Sequence, residues 1–292
     1  MEKNFADKEI SSLIRLMDDE DDFVWSKVRD RLVALGADAR PFIELAARDE
    51  NLTRRRRALH ILQALRPSQI GEKFRKLSVS AKGRDIDLER GVMILAEYGY
   101  PDFDPEECRL ILDELAEGLR SNIPARASPD RIVRELTHYL FIDQGFKGDK
   151  KNYLDADNSY FNKVLVQRKG LPISLTALCL FISARLRLNI VGVGLPCHFI
   201  AMHNAPGNPI YFDPFNRGKT LTPADCKDLV GSFGFQFQET HLAPVSNRNI
   251  LLRMAHNLEV TYNQSGQPEQ AQHMAEFAAI LASPHKKITP DR

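Results

Sequence analysis

Three residues in the middle of the chain have the types and the order needed for a catalytic triad. Ser174 lies in "RKGLPISLTALC", at the first turn of a predicted helix, where the helix dipole and free N–H groups stabilise negative charge. His198 and Asp213 follow on two short strand-like segments, and such a pair can supply a general base and the carboxylate that fixes its tautomer. If these segments form a hairpin, His198 and Asp213 lie side by side near its open end.

Each of the three residues also has an ordinary structural role. The Ser174 hydroxyl could cap its own helix. His198 could stabilise the hairpin through Asp213, and Asp213 could cap the turn before Pro214. The residue types and spacing leave both interpretations open.

Four cysteines stand at spacings that match neither a disulfide framework nor a zinc ribbon, and we expect free thiols: Cys108, Cys179, Cys197 and Cys226. Cys179 falls in the apolar stripe of the helix that begins near Ser174 and is predicted to be a core residue. Cys197 precedes His198 on a predicted strand. Because neighbouring strand side chains point to opposite faces, its thiol should not meet the imidazole.

We predict no metal site and no cofactor. The segment "DADNS" at 155–159 resembles the start of a calcium loop, but Tyr160 stands where that loop needs glycine and Val166 where it needs glutamate. His198 and His203 fall on opposite faces of a predicted strand, which argues against a shared metal ion.

Residues 1–82 are predicted to form a HEAT-like helical region, with two helical hairpins over residues 7–66. Apolar residues recur at helical spacing in four segments, with Gly36 placed as a helix C-cap and Pro41 near the start of the next helix. The stretches "DRLVAL" and "HILQAL" occupy matching places in the two hairpins and resemble a HEAT-type repeat. The basic run at 54–57 is interpreted as a solvated face or a set of salt bridges rather than a nucleic-acid site.

Residues 83–245 are predicted to form the central domain, after a polar run at 68–84. The pattern is helical up to Phe146, and a helix at 173–187 then precedes short segments rich in Ile, Val, Phe and Tyr. Residues 246–292 return to helix as an antiparallel pair that turns at Ser265–Gly266, followed by a frayed tail. We therefore predict a mostly helical α+β protein with a small antiparallel sheet.

The segment "NSYFNKVLVQRKGLPISL", followed by "GVGLPCHFIAMH" and "YFDPF", resembles the bacterial SirB-type proteins. This transglutaminase-like, papain-related family also contributes a domain to some eukaryotic F-box proteins. The resemblance implies a transglutaminase-like core and a C-terminal tetratricopeptide-like helical pair. It places Ser174 where transglutaminases have their cysteine and carries over His198 and Asp213. Cys197 departs from the family, in which the histidine usually follows Pro-Gly, and puts a side chain beside the cleft.

The resemblance also bears on the oxyanion hole and on activity. Papain-like enzymes place an oxyanion-stabilising glutamine upstream of the nucleophile; Arg168 stands at that place here, with Gln167 beside it. In the SirB-type family serine commonly replaces the cysteine, and no reaction is established. The leading hypothesis is a non-catalytic or degenerate module for protein interaction. The alternative is a hydrolase or acyltransferase on amide or ester bonds, with Ser174 as nucleophile, His198 as base and Asp213 as orienting carboxylate.

Charge and hydropathy limit the partners we expect. Lys and Arg number 40 against 39 Asp and Glu, so nothing favours nucleic acid or an anionic membrane surface. No apolar window approaches the ~18 residues needed for a membrane span, and the segment "MEKNFADKEI" lacks the apolar core of a signal peptide. We expect a cytoplasmic protein whose helical repeats bind a protein partner.

Overall fold

The computed structural model describes residues 2–283, with side chains from Ala6 onward. The tail beyond residue 283, predicted to be frayed, lies outside the described residues. The chain divides after Lys73 into two compact units, and one long helix crosses the division.

The N-terminal unit is helical. It contains α1 (Glu2–Arg15), α2 (Asp22–Leu35), α3 (Arg40–Ala46) and the first part of α4 (Leu52–Ser80). Gly36 ends α2 with a φ of +54°, a conformation that glycine adopts without strain, as its position predicts. The four helices bury a common apolar core that includes Ile10, Leu32, Ile43 and Ile61. The HEAT-like character of these helices stays a prediction.

The basic run at 54–57 makes contacts within its own unit. Arg54 pairs with Asp18 at 2.7 Å and with Asp49 at 2.9 Å. Arg57 donates to two backbone carbonyls in the segment between α1 and α2, and its guanidinium lies 4.7 Å from the ring centre of Trp25. The salt-bridge interpretation of the basic run therefore holds for Arg54.

The polar run at 68–84, predicted to end the first domain, is helical as far as Ser80. Ile70, Phe74 and Leu77 recur at three and four spacing within it and are buried. These few apolar positions are enough to continue α4 past Pro67, and the predicted boundary at residue 82 falls just beyond the helix end.

Up to residue 283, where the described part of the chain ends, the second unit contains eight further α-helices and two small sheets. The helices are α5 (Leu88–Gly99), α6 (Pro105–Arg120), α7 (Pro129–His138), α8 (Phe161–Gln167), α9 (Pro172–Leu186), α10 (Pro223–Ser232), α11 (Asn247–Gln264) and α12 (Pro268–Ala282). A turn containing Gly266, with a φ of +73°, joins α11 to α12, and the two helices pack together. The predicted C-terminal pair is thus present, while its tetratricopeptide-like character stays a prediction.

The larger sheet is antiparallel, and its strands lie side by side in chain order. Its strands are short: β3 (Ile190–Val193), β4 (Ile200–His203), β5 (Ile210–Asp213) and β6 (Lys219–Leu221). A separate parallel pair joins β1 (Lys147–Gly148) to β2 (Lys169–Gly170). All residues of β4 and β5 are buried, and α9 packs against β3 and β4. The mostly helical α+β architecture with a small antiparallel sheet is confirmed; β6 was not expected.

Tyr160 fixes the segment that leads into α8. Its side chain is 2% exposed, its ring lies against Gly99 at the end of α5, and its hydroxyl lies 2.6 Å from the hydroxyl of Tyr262 on α11. A side chain at residue 99 has no room, because a Cβ there would lie 2.7 Å from the Tyr160 ring.

Replacing Gly99 with alanine should lower the free energy of unfolding by about 1–3 kcal/mol, because the buried Tyr160 ring must shift. Urea unfolding followed by circular dichroism measures this. Gly231→Ala is the matched control, since no atom lies within 4 Å of the added methyl group and alanine favours the helix. Equal stability of the two variants would contradict close packing at Gly99.

Candidate functional site

His198 and Asp213 meet at the end of the central strand pair. Because β4 and β5 are antiparallel, with Ala201 opposite Phe212, the residues just before β4 lie beside the end of β5. His198 Nε2 lies 2.9 Å from Asp213 Oδ2, and the two side chains are only 6% and 2% exposed. The hairpin geometry suggested by the sequence therefore brings this pair together.

Asp213 also caps the turn that follows it. Its Oδ1 accepts the backbone N–H groups of Phe215 and Asn216, and the Asn216 amide donates to Oδ2 at 2.7 Å. Burial opposes ionisation, but the hydrogen bond and attraction from His198 and the Asn216 bonds outweigh it, so the pKa of Asp213 lies below its usual value. Both interpretations of Asp213 are thus compatible in one geometry: it holds the imidazole and caps a turn.

The His198 ring is held so that one nitrogen stays available. Nε2 is engaged with Asp213, and the ring packs edge-on against Phe215 at 6.1 Å between ring centres. Any further partner must therefore use Nδ1. An imidazole held in this way has the arrangement of a general base.

Ser174 does not join this pair. Its side chain is 0% exposed, and its hydroxyl donates at 2.8 Å to the backbone carbonyl of Asn158. The hydroxyl does not cap α9 either. The N-cap residue Leu171 has no side-chain capping bond, and the Ser174 hydroxyl bonds to Asn158 instead. The geometry thus supports neither the nucleophile role nor the helix-capping role considered for Ser174.

A pocket of about 570 Å³ lies beside His198. The residues that α9 contributes to it are Pro172 and Ile173, rather than Ser174. Successive helix residues point about 100° apart, so a difference of one position decides whether a side chain faces the pocket. Neither Pro172 nor Ile173 carries a nucleophilic atom.

The two candidate oxyanion donors also lie outside the pocket lining. Gln167 donates to Asp157 at 3.0 Å. Arg168 adopts a φ of +54° and donates to the backbone carbonyl of Gln144. Their side chains are committed to other contacts, so their predicted role at an oxyanion finds no support in the geometry.

Cys197 corrects a second expectation. It lies in the turn before β4 rather than on the strand, with a φ of +57°, and its exposed side chain lines the same pocket as His198. In the motif that this segment resembles, glycine usually stands at this position, and glycine adopts a positive φ without strain. That glycine was the available signal that Cys197 lies in a turn. Cys179, in contrast, is fully buried and its burial raises the pKa of its thiol, as expected of a core residue.

The sequence pattern marked few of the lining residues, and those it did not mark include Lys150, Tyr153 and Arg253. Arg253 comes from α11, far along the chain, and no local motif marks it. The described residues contain no group of three or more His, Cys, Asp or Glu side chains placed to hold a metal ion.

Asp213→Asn should lower the free energy of unfolding near neutral pH by about 2–3 kcal/mol, because hydrogen bonds to a buried charged acceptor are lost. The difference from wild type should shrink below about pH 4, the ordinary aspartate range. The reason is that the wild-type carboxyl stabilises the fold only while ionised and takes up a proton as pH falls through its lowered pKa.

Urea unfolding at a series of pH values measures this effect. Asp228→Asn, an exposed acid on α10, is the control for the change in net charge. A pH-independent difference between wild type and Asp213→Asn would show that the carboxylate charge is not what holds the turn and the imidazole.

Comparison with known proteins identifies the family. A model of the transglutaminase-like superfamily matches residues 106–256. A UPF0162 protein of Xylella fastidiosa is 28% identical over 213 residues, which are 71% of this chain and 76% of that protein. A UPF0162 protein of Vibrio cholerae is 35% identical over 172 residues, 58% of this chain and 63% of that protein.

A human relative matches this chain over a small part of its own length. F-box only protein 21 is 35% identical over 136 residues, 43% of this chain but 21% of that protein. No solved structure matches the chain. None of the helices within residues 2–283 is long and apolar enough to cross a membrane. With the family model covering more than half of its length, the chain belongs to the transglutaminase-like superfamily.

Proposed function

We propose that this protein is a non-catalytic transglutaminase-like module of the SirB type that acts by binding a protein partner. One observation carries the proposal: the Ser174 hydroxyl is buried and bonded to the Asn158 carbonyl, outside the pocket that His198 lines. A serine needs a base within hydrogen-bond reach to become a nucleophile, and this one is directed to a backbone acceptor.

The retained His198–Asp213 pair fits a binding role. Asp213 secures the turn after β5 and His198 secures the start of β4, so the pair shapes the pocket wall without performing a reaction. Loss of the nucleophile leaves this structural contribution intact. A pocket beside a rigid hairpin is a suitable place for part of a ligand.

The flanking helices support an interaction role. The N-terminal unit is a set of packed helices, and α11 and α12 form a helical pair. We propose HEAT-like and tetratricopeptide-like character for them, since stacked helical pairs form the surfaces on which repeat proteins bind partners. F-box only protein 21, in which the matching segment is about a fifth of the chain, supports the use of this domain as one module among others.

The second candidate is a hydrolase or acyltransferase on amide or ester bonds, and the His198–Asp213 pair favours it. That function requires the Ser174 hydroxyl to leave the Asn158 carbonyl and reach His198 Nδ1. The rearrangement would leave a buried carbonyl with fewer hydrogen bonds, which is unfavourable.

A fluorophosphonate probe separates the two candidates. We expect no adduct on Ser174 after prolonged incubation of the full chain, as measured by intact mass and peptide mapping. A serine protease treated in parallel confirms that the probe is reactive. An adduct on Ser174 that disappears in Ser174→Ala and is slowed in Asp213→Asn would overturn the non-catalytic proposal.

Partner binding tests the role of the N-terminal unit. The full chain should retain a reproducible partner in affinity capture, and a chain lacking residues 1–73 should lose it. Circular dichroism of the shortened chain checks that the remaining residues keep their helices. Equal recovery of the same partner by both chains would assign binding to the second unit instead.

A further inference from the structure

Arg253 places a positive charge in the wall of the pocket beside His198. It projects from α11, and its Nη2 donates to the backbone carbonyls of Leu195 and His198, both at 2.9 Å. The guanidinium lies 5.3 Å from the ring centre of Phe199. These contacts hold the group in place and leave its remaining N–H groups for another acceptor.

No carboxylate among the described residues acts on the charge of Arg253. Burial lowers the pKa of this guanidinium, and among the described residues the groups that oppose the shift are the thiol of Cys197 and the phenol of Tyr153. A desolvated cation without an anionic partner is costly to the fold. An arginine kept in this situation at a pocket wall is positioned to pair with an anion that enters.

Lys150 adds a second cation to the same pocket. Its Nζ donates to the neutral amide oxygen of Asn216 at 2.8 Å and lies 6.0 Å from the ring centre of Phe215. None of the described residues that line the pocket is Asp or Glu, and Asp213 is committed to His198 and its own turn. The lining therefore has two cations and no competing acid.

Much of the remaining wall is apolar or aromatic, with Asn216, Asn257, Cys197 and His198 as its polar members. It includes Tyr153, Ile173, Phe199, Phe215 and Phe233. The volume of about 570 Å³ falls within the range of roughly 300–1,000 Å³ that small-ligand sites occupy. Aromatic walls around fixed cations suit a ligand with an apolar body and a single negative group.

We propose that this pocket binds the carboxylate of an apolar ligand, with Arg253 and Lys150 as its charged contacts. The carboxylate comes either from a small aromatic acid or from the C-terminus of a peptide with an apolar last residue. Arginine pairs with carboxylates through two parallel hydrogen bonds, and a low-dielectric pocket strengthens them. The inference rests on the proposed function in that the pocket holds its ligand without converting it.

Cys197 is a built-in reporter for the test. It is exposed in the pocket, whereas Cys108, Cys179 and Cys226 are buried. Iodoacetate and iodoacetamide alkylate a thiol by the same displacement of iodide, but iodoacetate carries a carboxylate. The ratio of their rates at Cys197 therefore reports attraction of a carboxylate and cancels changes in the reactivity of the thiol itself.

The iodoacetate-to-iodoacetamide rate ratio at Cys197 should exceed that of a short cysteine peptide by about threefold or more, because the cations concentrate the anionic reagent. Lys150→Met and Arg253→Met should each lower the ratio, and Lys151→Met, an exposed neighbour outside the lining, should not. Lys150→Met keeps the test informative if Arg253→Met does not fold, since Lys150 is an exposed residue whose hydrogen bond goes to the side chain of the partly exposed Asn216.

Ligand protection identifies the source of the carboxylate. Benzoylglycine and an acetylated tripeptide ending in phenylalanine are the two test ligands, and each is compared with its C-terminal amide. A ligand that binds should slow the alkylation of Cys197 by iodoacetamide as the free acid, and its amide should not. Protection by the peptide alone assigns a peptide C-terminus, and protection by benzoylglycine assigns a small acid. Mass spectrometry should recover the bound ligand unchanged.

The outcomes are separable. No protection by either acid, together with a rate ratio unaffected by Lys150→Met and Arg253→Met, overturns the carboxylate site and leaves Arg253 as a brace for the turn before β4. Protection accompanied by hydrolysis of the peptide, or by a probe adduct on Ser174, would keep the carboxylate site and overturn the non-catalytic function.

Discussion

The backbone carbonyl of Asn158 sets the orientation of α9. It accepts the N–H of Leu171 at 3.1 Å and the hydroxyl of Ser174 at 2.8 Å, while the Asn158 side chain donates to the carbonyl of Asn152. Asn158 is only 1% exposed, so these bonds are made away from water and are costly to break. The first turn of α9 is thereby held with Ser174 directed inward and Pro172 facing the pocket.

With α9 in that orientation, the site combines the His–Asp pair that a hydrolase would need with a pocket that has positively charged side chains in its wall. His198 and Asp213 keep a close, buried pair, yet the adjacent helix offers proline and isoleucine instead of a nucleophile. Arg253 supplies a charge that the pocket itself does not neutralise. The His198–Asp213 pair does not by itself establish a reaction, because fold and activity are separable.

Local patterns predicted α9, the strand pair β4 and β5, and the C-terminal helical pair, since each depends on residues close in sequence. His198, predicted on the strand, lies two residues before β4. The direction of Ser174 was not predictable in this way, because it depends on a carbonyl sixteen residues upstream. Cys197 was placed on a strand because its positive φ cannot be seen in a residue pattern. Arg253 reaches the pocket from a helix that only tertiary packing brings there.

The alkylation rate of a thiol placed at residue 174 shows whether this side chain is buried or faces His198. In a Cys197→Gly background, Ser174→Cys should be alkylated by iodoacetamide only through the small unfolded population, like the buried Cys179. The rate should then rise with urea in parallel with global unfolding. Rapid alkylation in the folded protein, slowed by Asp213→Asn, would instead place residue 174 beside His198 and contradict the account.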